Sequence, residues 1–318
     1  MGPCLPAIDD VAAAADRIKG ILRPLTVIDA DADLVPDAEI VLALEFLQHT
    51  GSFKARGAAN LVVALVQARR MPAAGIVSAT GGNADIGFAW AAQRLGIPAT
   101  VFLDRSTPSA RVERLRSLGA EVHVAGATKA DTLQVARRFQ EQTGAIDAYT
   151  HDDTLTCAGA GTILLELAAA RPMLDTVVCA VGAGGMFSGI AAVADTLGIR
   201  LVGAEPEGSQ ALHAALAADA VLEVDIDSIA AESLGAPRVS PAALAWAKTT
   251  DARSVVVDDG AIVHARLQLW QRHRIAVEYG SAVGLAAVLT GAYRPRPAER
   301  IGIVLCGANT DPADLIDN

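Results

Sequence analysis

Residues 177–194 read VVCAVGAGGMFSGIAAVA and contain no charged side chain. An uncharged stretch of this length is nominally long enough for a membrane-spanning helix. Four glycines fall inside it, however, and glycine disfavours a continuous helix. We therefore expect a buried β-strand that ends in a glycine-rich turn and is followed by a helix.

The same order of strand and helix recurs along the chain. Short apolar runs rich in β-branched residues are each followed by a stretch rich in Ala, Leu and Arg. These runs are IVLALEF (40–46), GIVSAT (75–80), ATVFL (99–103), EVHVAG (121–126), TVVCAV (176–181), RLVGAEP (200–206), SVVVDD (254–259) and RIGIVLCG (300–307). Their alternation predicts an α/β fold with parallel strands that helices cover on both faces. Functional residues are then expected at the C-terminal ends of the strands.

The region between residues 76 and 150 contains compact strand-and-helix periods that are sufficient for a separate small sheet. We therefore predict two domains. Residues 1–75 and 151–318 form a large, discontinuous domain, and residues 76–150 form a small one. The cleft between the two domains is the expected position of the active site.

The bulk composition points to a small-molecule partner. Lys and Arg number 26 and Asp and Glu number 36, so the net charge is −10, and the chain has no run of basic residues. This balance favours neither a nucleic-acid-binding surface nor binding to an anionic membrane. The cysteines form no CxxC pair, which argues against a structural zinc site and a disulfide scaffold. Acidic residues stand where a signal peptide needs basic ones, so we expect a cytoplasmic protein.

The glycine-rich turn Gly182-Ala183-Gly184-Gly185 is a candidate anion site. It joins a predicted strand to a predicted helix, where free backbone N–H groups and the helix dipole converge. The third glycine of the dinucleotide-binding pattern is replaced by Phe187, and no P-loop lysine follows. A single phosphate monoester therefore fits better than a dinucleotide, although a structural tight turn would have the same local sequence.

A second polar loop, Thr80-Gly81-Gly82-Asn83, follows the strand GIVSA and opens another helix. The start of this helix suits a carboxylate, and the Asn83 amide can donate or accept a hydrogen bond. The alternative is that these residues only cap the helix.

Lys54 and Cys306 are candidate functional residues only in combination with these loops. Lys54, in QHTGSFKARG (48–57), follows an apolar strand, and its local sequence taken alone favours an ordinary surface lysine. Cys306 lies at the end of the last predicted strand, where a cysteine is usually a small core residue.

Four motifs together resemble one known family. They are TGSFKARGA (50–58), TGGNA (80–84), GAGG (182–185) and CGAN (306–309). In this order and spacing they resemble the fold type II, tryptophan synthase beta-like, pyridoxal-phosphate enzymes, and particularly the serine/threonine dehydratase (threonine ammonia-lyase) branch. The resemblance extends from about residue 20 to the end of the chain. It implies two open, twisted, mostly parallel sheets flanked by helices, with pyridoxal 5′-phosphate bound to the large domain.

Carried over onto the matching positions, the resemblance implies specific cofactor contacts. Lys54 would form the Schiff base with the cofactor, Asn83 would hydrogen-bond the ring 3′-oxygen, and Cys306 would face the pyridine nitrogen. The phosphate would be held by the glycine loop and the residue after it, namely Gly182, Ala183, Gly184, Gly185 and Met186.

Two further residues have an alternative reading. Phe53 would lie beside the cofactor, or it would serve only as packing. Glu278 would lie near the cofactor ring, or it would be a carboxylate at a helix N-terminus. The substrate α-carboxylate would bind the loop made of Thr80, Gly81, Gly82 and Asn83.

The implied chemistry is β-elimination. A weak neutral partner such as a thiol leaves the ring nitrogen largely unprotonated and moderates the electron withdrawal by the cofactor. We therefore expect dehydration and deamination of a 3-hydroxy amino acid, such as L-threonine or L-serine, to a 2-oxo acid and ammonia, with Lys54 removing the Cα proton. One alternative is β- or γ-replacement of the cysteine synthase or threonine synthase type. Another is a non-catalytic small-molecule-binding protein or a nucleotide-linked enzyme.

The chain departs from the family pattern at three positions. Serine racemases have a serine at the position of Gly81 that reprotonates Cα, so glycine disfavours racemisation. Ala84 replaces a histidine, which enlarges or depolarises the pocket and makes a bulkier 3-hydroxy substrate conceivable. Ala211 replaces an acidic ligand of a divalent metal, so we predict no metal site there. Relatives are commonly dimers, and we expect a homodimer.

Overall fold

The structure is a computed structural model that describes residues 5–148 and 153–315. Its helices are α1 (Ile8–Ile18), α2 (Lys54–Gln67), α3 (Asn83–Leu95), α4 (Ser109–Ser117), α5 (Lys129–Thr143), α6 (Thr154–Ala170), α7 (Gly185–Leu197), α8 (Ala211–Ala218), α9 (Ala231–Leu234), α10 (Pro241–Thr249), α11 (Asp259–His273) and α12 (Tyr279–Leu289). Its strands are β1 (Val27–Asp29), β2 (Ala38–Leu44), β3 (Ile76–Ser78), β4 (Ala99–Leu103), β5 (Glu121–Val124), β6 (Ile146–Asp147), β7 (Thr176–Ala180), β8 (Arg200–Pro206), β9 (Arg253–Val257) and β10 (Glu299–Leu305). Short 3-10 turns cover Glu45–Leu47 and Ala313–Leu315.

The described strands form two sheets. The larger sheet has the order β1-β2-β10-β7-β8-β9, and β1 is its antiparallel edge strand. The smaller sheet has the order β5-β4-β3-β6 and pairs its strands in parallel. This arrangement confirms the predicted fold class and all eight strands predicted from the sequence. The predicted boundary between residues 150 and 151 lies outside the described residues.

The prediction missed β1 and β6. These strands have three and two residues, and their side chains are partly exposed, whereas every residue of β7 is buried. Short, half-exposed strands lack the continuous apolar run that indicates a buried parallel strand.

The opening stretch folds as a strand and a separate helix. β7 ends before the glycine loop, and α7 begins at Gly185. Within the described ranges, no helix is both long enough and apolar enough to cross a membrane. Residues 177–194 lack charged side chains because β7 and most of α7 are buried in the core of the larger sheet.

Glycines let three helices pack closely beside the larger sheet. A Cβ atom at Gly189 of α7 would lie 2.0 Å from the carbonyl oxygen of Cys157 in α6. A Cβ atom at Gly159 of α6 would lie 2.6 Å from the carbonyl oxygen of Arg56 in α2. Only glycine permits backbones to approach this closely. The contacts fix the start of α2, which carries Lys54, relative to the start of α7, which carries the glycine loop.

Candidate active site

A cavity with about 430 Å³ of empty space, part of which is open to solvent, lies where α2, α3, α6 and α7 meet. Its walls are Phe53, Lys54, Gly57, Ala58, Ala84, Phe88, Ala148, Thr156, Ala160, Gly185 and Met186. Four of the predicted cofactor-binding residues therefore line the same cavity: Phe53, Lys54, Gly185 and Met186. Apart from Lys54 and Thr156, the lining side chains are apolar or absent, which suits a ligand with an apolar body and a few polar contacts.

The lysine motif is hydrogen-bonded to the cysteine motif. The backbone N–H of Phe53 donates to the carbonyl oxygen of Cys306 at 2.9 Å, and the N–H of Ala308 donates to the carbonyl oxygen of Gly51, also at 2.9 Å. Lys54 follows as the first residue of α2, and its Nζ lies 4.8 Å from the centre of the Phe53 ring. The end of β10 thus fixes the backbone position from which the Lys54 side chain extends.

Burial lowers the pKa of the Lys54 ammonium below its ordinary value of 10.5. Electrostatic interactions with Cys306, Cys157 and Glu278 oppose this shift, but desolvation is the larger effect. A larger fraction of Lys54 is therefore neutral than would be the case for an exposed lysine. A neutral amine is the form that acts as a nucleophile or takes up a proton.

Arg56, two residues after Lys54, is a buried charge beside the cavity. It is fully buried on α2, and its guanidinium donates to both carboxylate oxygens of Glu45, at 2.7 Å and 2.8 Å. A further nitrogen donates to Glu166 of α6 at 2.5 Å. These ion pairs raise the pKa of Arg56, and they link α2 to α6 beside the cavity.

The glycine loop opens α7 in a conformation that requires glycine. Gly184 has φ of +95°, and a Cβ atom there would lie 2.4 Å from the Cβ of Ala243. The carbonyl oxygen of Ala183 accepts from the N–H of Ser240 at 2.9 Å. Among the described residues, no side chain caps the α7 N-terminus, so this helix start presents backbone N–H groups to an anion.

The substrate loop reaches the larger sheet through Asn83. Its Nδ2 donates to both oxygens of Glu278, at 2.8 Å and 3.0 Å, and its Oδ1 accepts from Asn309 Nδ2 at 2.7 Å. The N–H of Asn309 also donates to Glu278 at 2.9 Å. Burial raises the pKa of the Glu278 carboxyl above its ordinary value. Glu278 is the N-cap residue of α12 by its backbone, but its carboxylate points to the two asparagines and does not cap the helix.

Cys306 lies buried beyond the last residue of β10, and its Sγ is 3.2 Å from the Ser281 hydroxyl. Burial and the nearby Glu278 charge raise the pKa of the thiol to about 12. The thiol is therefore neutral at physiological pH, as the predicted partner of a ring nitrogen should be.

The other predicted residues are not among the described lining residues. These are Thr80, Gly81, Gly82, Asn83, Gly182, Ala183, Gly184, Glu278 and Cys306. Gly82, Asn83, Ala183 and Gly184 are one or two residues along the chain from a lining residue, and Glu278 and Cys306 are joined to the site by the hydrogen bonds given above. Thr80, Gly81 and Gly182 are three or four residues along the chain from a lining residue.

A sequence model of the family described as "Pyridoxal-phosphate dependent enzyme" matches residues 24–307. The chain belongs to this family. It is 32% identical over 314 residues to a phenylserine dehydratase from Ralstonia pickettii, covering 97% of this chain and 95% of that one. It is 31% identical over 313 residues to an L-threonine ammonia-lyase from Thermotoga maritima, covering 98% and 77%. The structure of maize serine racemase superposes with a TM-score of 0.91 at 29% identity, covering 99% of this chain and 97% of that one.

Family membership confirms pyridoxal phosphate as the predicted cofactor, and the structure offers polar groups that fit it. The buried hydroxyl of Ser52, next to Phe53, has no hydrogen-bond partner among the described residues, which is the state expected of a group that a bound ligand satisfies. The uncapped start of α7 suits a phosphate, and the neutral Cys306 thiol suits a pyridine nitrogen. The residues of this pyridoxal-phosphate enzyme are therefore compatible with the cofactor.

Sequence reasoning gave no role to Asp85, Asn309, Arg111 or Phe88. Asn309 was part of a quoted motif, and Phe88 is one helical turn beyond Ala84 on the cavity wall. Arg111 donates from α4 to the carbonyl oxygen of Gly81 at 2.5 Å, which sequence spacing does not indicate. Asp85 had a recognisable pattern, because an acidic residue in the first turn of a helix often bonds the N–H groups of the preceding loop.

Glu205, six residues before Ala211, accepts hydrogen bonds from backbone N–H groups. Its carboxylate accepts from the N–H groups of Leu212 and His213, at 2.7 Å and 2.8 Å. Burial raises its pKa to about 7. Across residues 5–148 and 153–315, no group of three or more His, Cys, Asp or Glu side chains is arranged to hold a metal ion.

Proposed function

We propose that this protein is a pyridoxal-phosphate-dependent ammonia-lyase that converts a 3-hydroxy amino acid, such as L-threonine or L-serine, to a 2-oxo acid and ammonia. The observation that carries the proposal is the position of Lys54. Its partly buried amine lies on the wall of a cavity that also contains the start of the glycine-loop helix. The names of the phenylserine dehydratase and the L-threonine ammonia-lyase support the same reaction class.

The proposed roles follow from the contacts. Lys54 is the attachment and catalytic residue, and the glycine loop binds the phosphate together with Met186. Phe53 would pack beside the cofactor, Asn83 would hydrogen-bond its ring 3′-oxygen, Glu278 would lie near the ring, and Cys306 would face the ring nitrogen. The loop of residues 80–83 positions the substrate α-carboxylate. When bound, pyridoxal phosphate stabilises negative charge at Cα of the amino acid.

The chain itself moves the protons. The neutral amine of Lys54 accepts the Cα proton, and its lowered pKa favours the form that does so. Loss of the C3 hydroxyl as water and hydrolytic release of ammonia then leave the 2-oxo acid. The apolar wall formed by Ala84 and Phe88 limits access of water and leaves space for a C3 substituent.

Elimination is favoured over racemisation by the shape of the substrate loop. Gly81 has φ of +68°, and no described atom lies within 4 Å of the place where its Cβ would be. Glycine supplies no side-chain proton donor at this position. A serine side chain would fit the space, but the left-handed backbone conformation at this position is unfavourable for serine.

The domain boundaries, the oligomeric state and the cellular location belong to the same proposal. The large domain is residues 1–75 and 151–318, and the small domain is residues 76–150. We propose that the protein works as a cytoplasmic homodimer on a small amino-acid substrate, in keeping with its net charge of −10.

The test is a panel of L-serine, L-threonine and L-phenylserine without an added nucleophile. We expect equal amounts of 2-oxo acid and ammonia, a visible absorption band from the bound cofactor, and loss of both in Lys54→Ala. The loss of activity should be at least about 100-fold, the usual minimum contribution of a positioned base. Lys248→Ala is the control, because that lysine is exposed and paired with Asp219. If product forms only after a thiol nucleophile is added, the protein is a β-replacement enzyme and this proposal is wrong.

A further inference from the structure

Asp85 is a fully buried carboxylate beside the substrate loop. It is the third residue of α3, and its Oδ1 accepts from Ser78 Oγ at 2.6 Å, from the N–H of Thr80 at 3.0 Å and from Thr80 Oγ1 at 2.8 Å. Its Oδ2 accepts from the N–H of Gly81 at 2.6 Å. Burial raises the pKa of the Asp85 carboxyl, whereas its four hydrogen bonds favour the ionised form, whose acceptor capacity they match.

These bonds determine where the protons of the loop point. The hydroxyl proton of Thr80 goes to Asp85, and the Thr80 oxygen accepts from the N–H of Gly82 at 3.1 Å. The N–H groups of Thr80 and Gly81 also go to Asp85. Thr80 therefore has no proton left to donate to a substrate carboxylate.

The turn is held from the opposite side as well. The carbonyl oxygen of Gly81 accepts from Arg111 Nη1 at 2.5 Å, while its N–H donates to Asp85. Arg111 is also paired with Glu232 of α9, next to the larger sheet. Because Gly81 is fixed at both polar groups of its backbone, the turn has one preferred conformation. Ala84, two residues after the turn, lies on the cavity wall.

We propose that Asp85 is a positioning residue for substrate binding: it takes up the donors of Thr80 and Gly81 and so fixes the turn that carries Asn83 and Ala84 to the cavity. Thr80 acts through Asp85 and does not contact the substrate carboxylate. This inference rests on the proposed function, because it assigns the residues that position the same amino-acid substrate.

The deciding variants are Asp85→Asn, Thr80→Val and the double variant. Asparagine is nearly isosteric, but its amide nitrogen must oppose at least one of the donors that Asp85 now accepts from. We expect Asp85→Asn to raise KM about 10- to 100-fold, in line with the loss of hydrogen bonds to a charged group, with kcat changed less than about threefold. Thr80→Val should raise KM by a smaller factor, and Thr80→Ser should restore it.

The double variant separates an indirect role of Thr80 from a direct one. If Thr80 acts through Asp85, adding Thr80→Val to Asp85→Asn should not raise KM further. Multiplication of the two effects would overturn the proposal, since it would show that Thr80 binds the substrate independently. A fall in kcat with unchanged KM would overturn it as well.

Two further measurements distinguish positioning from simple loss of structure. Glu205→Gln is the matched control, because Glu205 is also a buried carboxylate that accepts backbone N–H groups. It should leave KM unchanged, and the visible cofactor band should be the same in all variants. The concentration of L-threonine that half-saturates the change in this band measures binding without turnover. A wild-type protein that binds L-threonine but releases no 2-oxo acid would contradict the proposed function alone, while the shift in half-saturation would still decide the role of Asp85.

Discussion

Asn83 and Glu278 are joined by hydrogen bonds of 2.8 Å and 3.0 Å between one amide nitrogen and two carboxylate oxygens. Asn83 begins α3 beside the smaller sheet, whereas Glu278 precedes α12 beside the larger one. Asn83, the first residue of α3, is therefore held by a carboxylate that also accepts from Asn309, the last residue of the cysteine motif. One buried carboxylate connects the two halves of the candidate active site.

Glu278→Gln should lower kcat/KM by about 10- to 100-fold, because a glutamine must place its amide nitrogen against donors from Asn83 or Asn309 and a hydrogen bond to a charged group contributes about 1.5–3 kcal/mol. Steady-state kinetics on the best substrate of the panel measures the effect. Glu207→Gln, at an exposed glutamate after β8, is the control and should behave as wild type. Wild-type kinetics in Glu278→Gln would show that the carboxylate has no role in the reaction.

The same carboxylate predicts an acidic limb in the pH profile. Burial raises the pKa of Glu278 above its ordinary value, so it takes up a proton at a higher pH than an exposed glutamate does. The added O–H donor then opposes the N–H donors of Asn83 and Asn309. We expect kcat/KM to fall on acidification through this raised pKa and to lose that limb in Glu278→Gln.

Lys54 should be the first lysine of the cofactor-free protein to lose its proton as the pH rises. The chain has four lysines, and the other three, Lys19, Lys129 and Lys248, are exposed. Labelling with a small amine-reactive reagent across a pH series, followed by peptide mass spectrometry, gives a midpoint for each. The midpoint for Lys54 should lie below 10.5, the ordinary lysine value from which its pKa is lowered. A midpoint at or above that value would contradict the lowered pKa.

The lowered pKa also has a consequence for stability. Between the lowered and the ordinary value the unfolded chain binds more protons than the folded chain at this position. The contribution of Lys54 to the free energy of unfolding of the cofactor-free protein should therefore rise with pH across this range. Lys54→Met, which cannot titrate, provides the comparison in urea unfolding at each pH.

The sequence predicted the parts of the fold that depend on local pattern. β7 and α7 follow from an apolar run interrupted by glycines, and the parallel sheets follow from the regular alternation of strands and helices. The cavity wall was predicted in part because Lys54 and Gly185 belong to motifs whose spacing is shared with a known family. Local patterns of this kind are determined by residues close to one another in the chain.

The features that the sequence did not reveal depend on distant partners. Arg56 has the sequence pattern of a surface arginine, but its partners Glu45 and Glu166 are 11 and 110 residues away. The sequence left two possible roles for Glu278, and its carboxylate binds Asn83, which is 195 residues away along the chain. Pairing over such separations depends on how the sheets and helices pack, which one sequence does not specify.

Chelation of divalent cations should leave the activity unchanged. The carboxylate of Glu205 is occupied by the N–H groups of Leu212 and His213, and position 211 is an alanine. A carboxyl whose pKa is raised to about 7 is partly protonated near neutral pH and competes poorly for a cation. Activity measured with and without EDTA checks this, and a loss that Mg²⁺ restores would show that Glu205 binds metal after all.

Gly184→Ala should weaken cofactor binding. Alanine at φ of +95° is strained, and its Cβ would lie 2.4 Å from Ala243 Cβ and 3.2 Å from Val239 Cγ2. Strain of about 1 kcal/mol and overpacking of about 1–3 kcal/mol would both act on the start of α7. We expect the dissociation constant of pyridoxal phosphate, measured by fluorescence titration, to rise by at least about 10-fold, which corresponds to about 1.4 kcal/mol.

Two matched variants separate the steric contact from the backbone strain. Gly198→Ala lies at the other end of α7 with φ of +67°, and no described atom is within 4 Å of its Cβ position. It should reproduce the strain without affecting cofactor affinity. Ala243→Gly in the Gly184→Ala background removes the closest contact and should restore part of the affinity. If the double variant binds the cofactor no better than Gly184→Ala alone, the contact with Ala243 is not what shapes the loop.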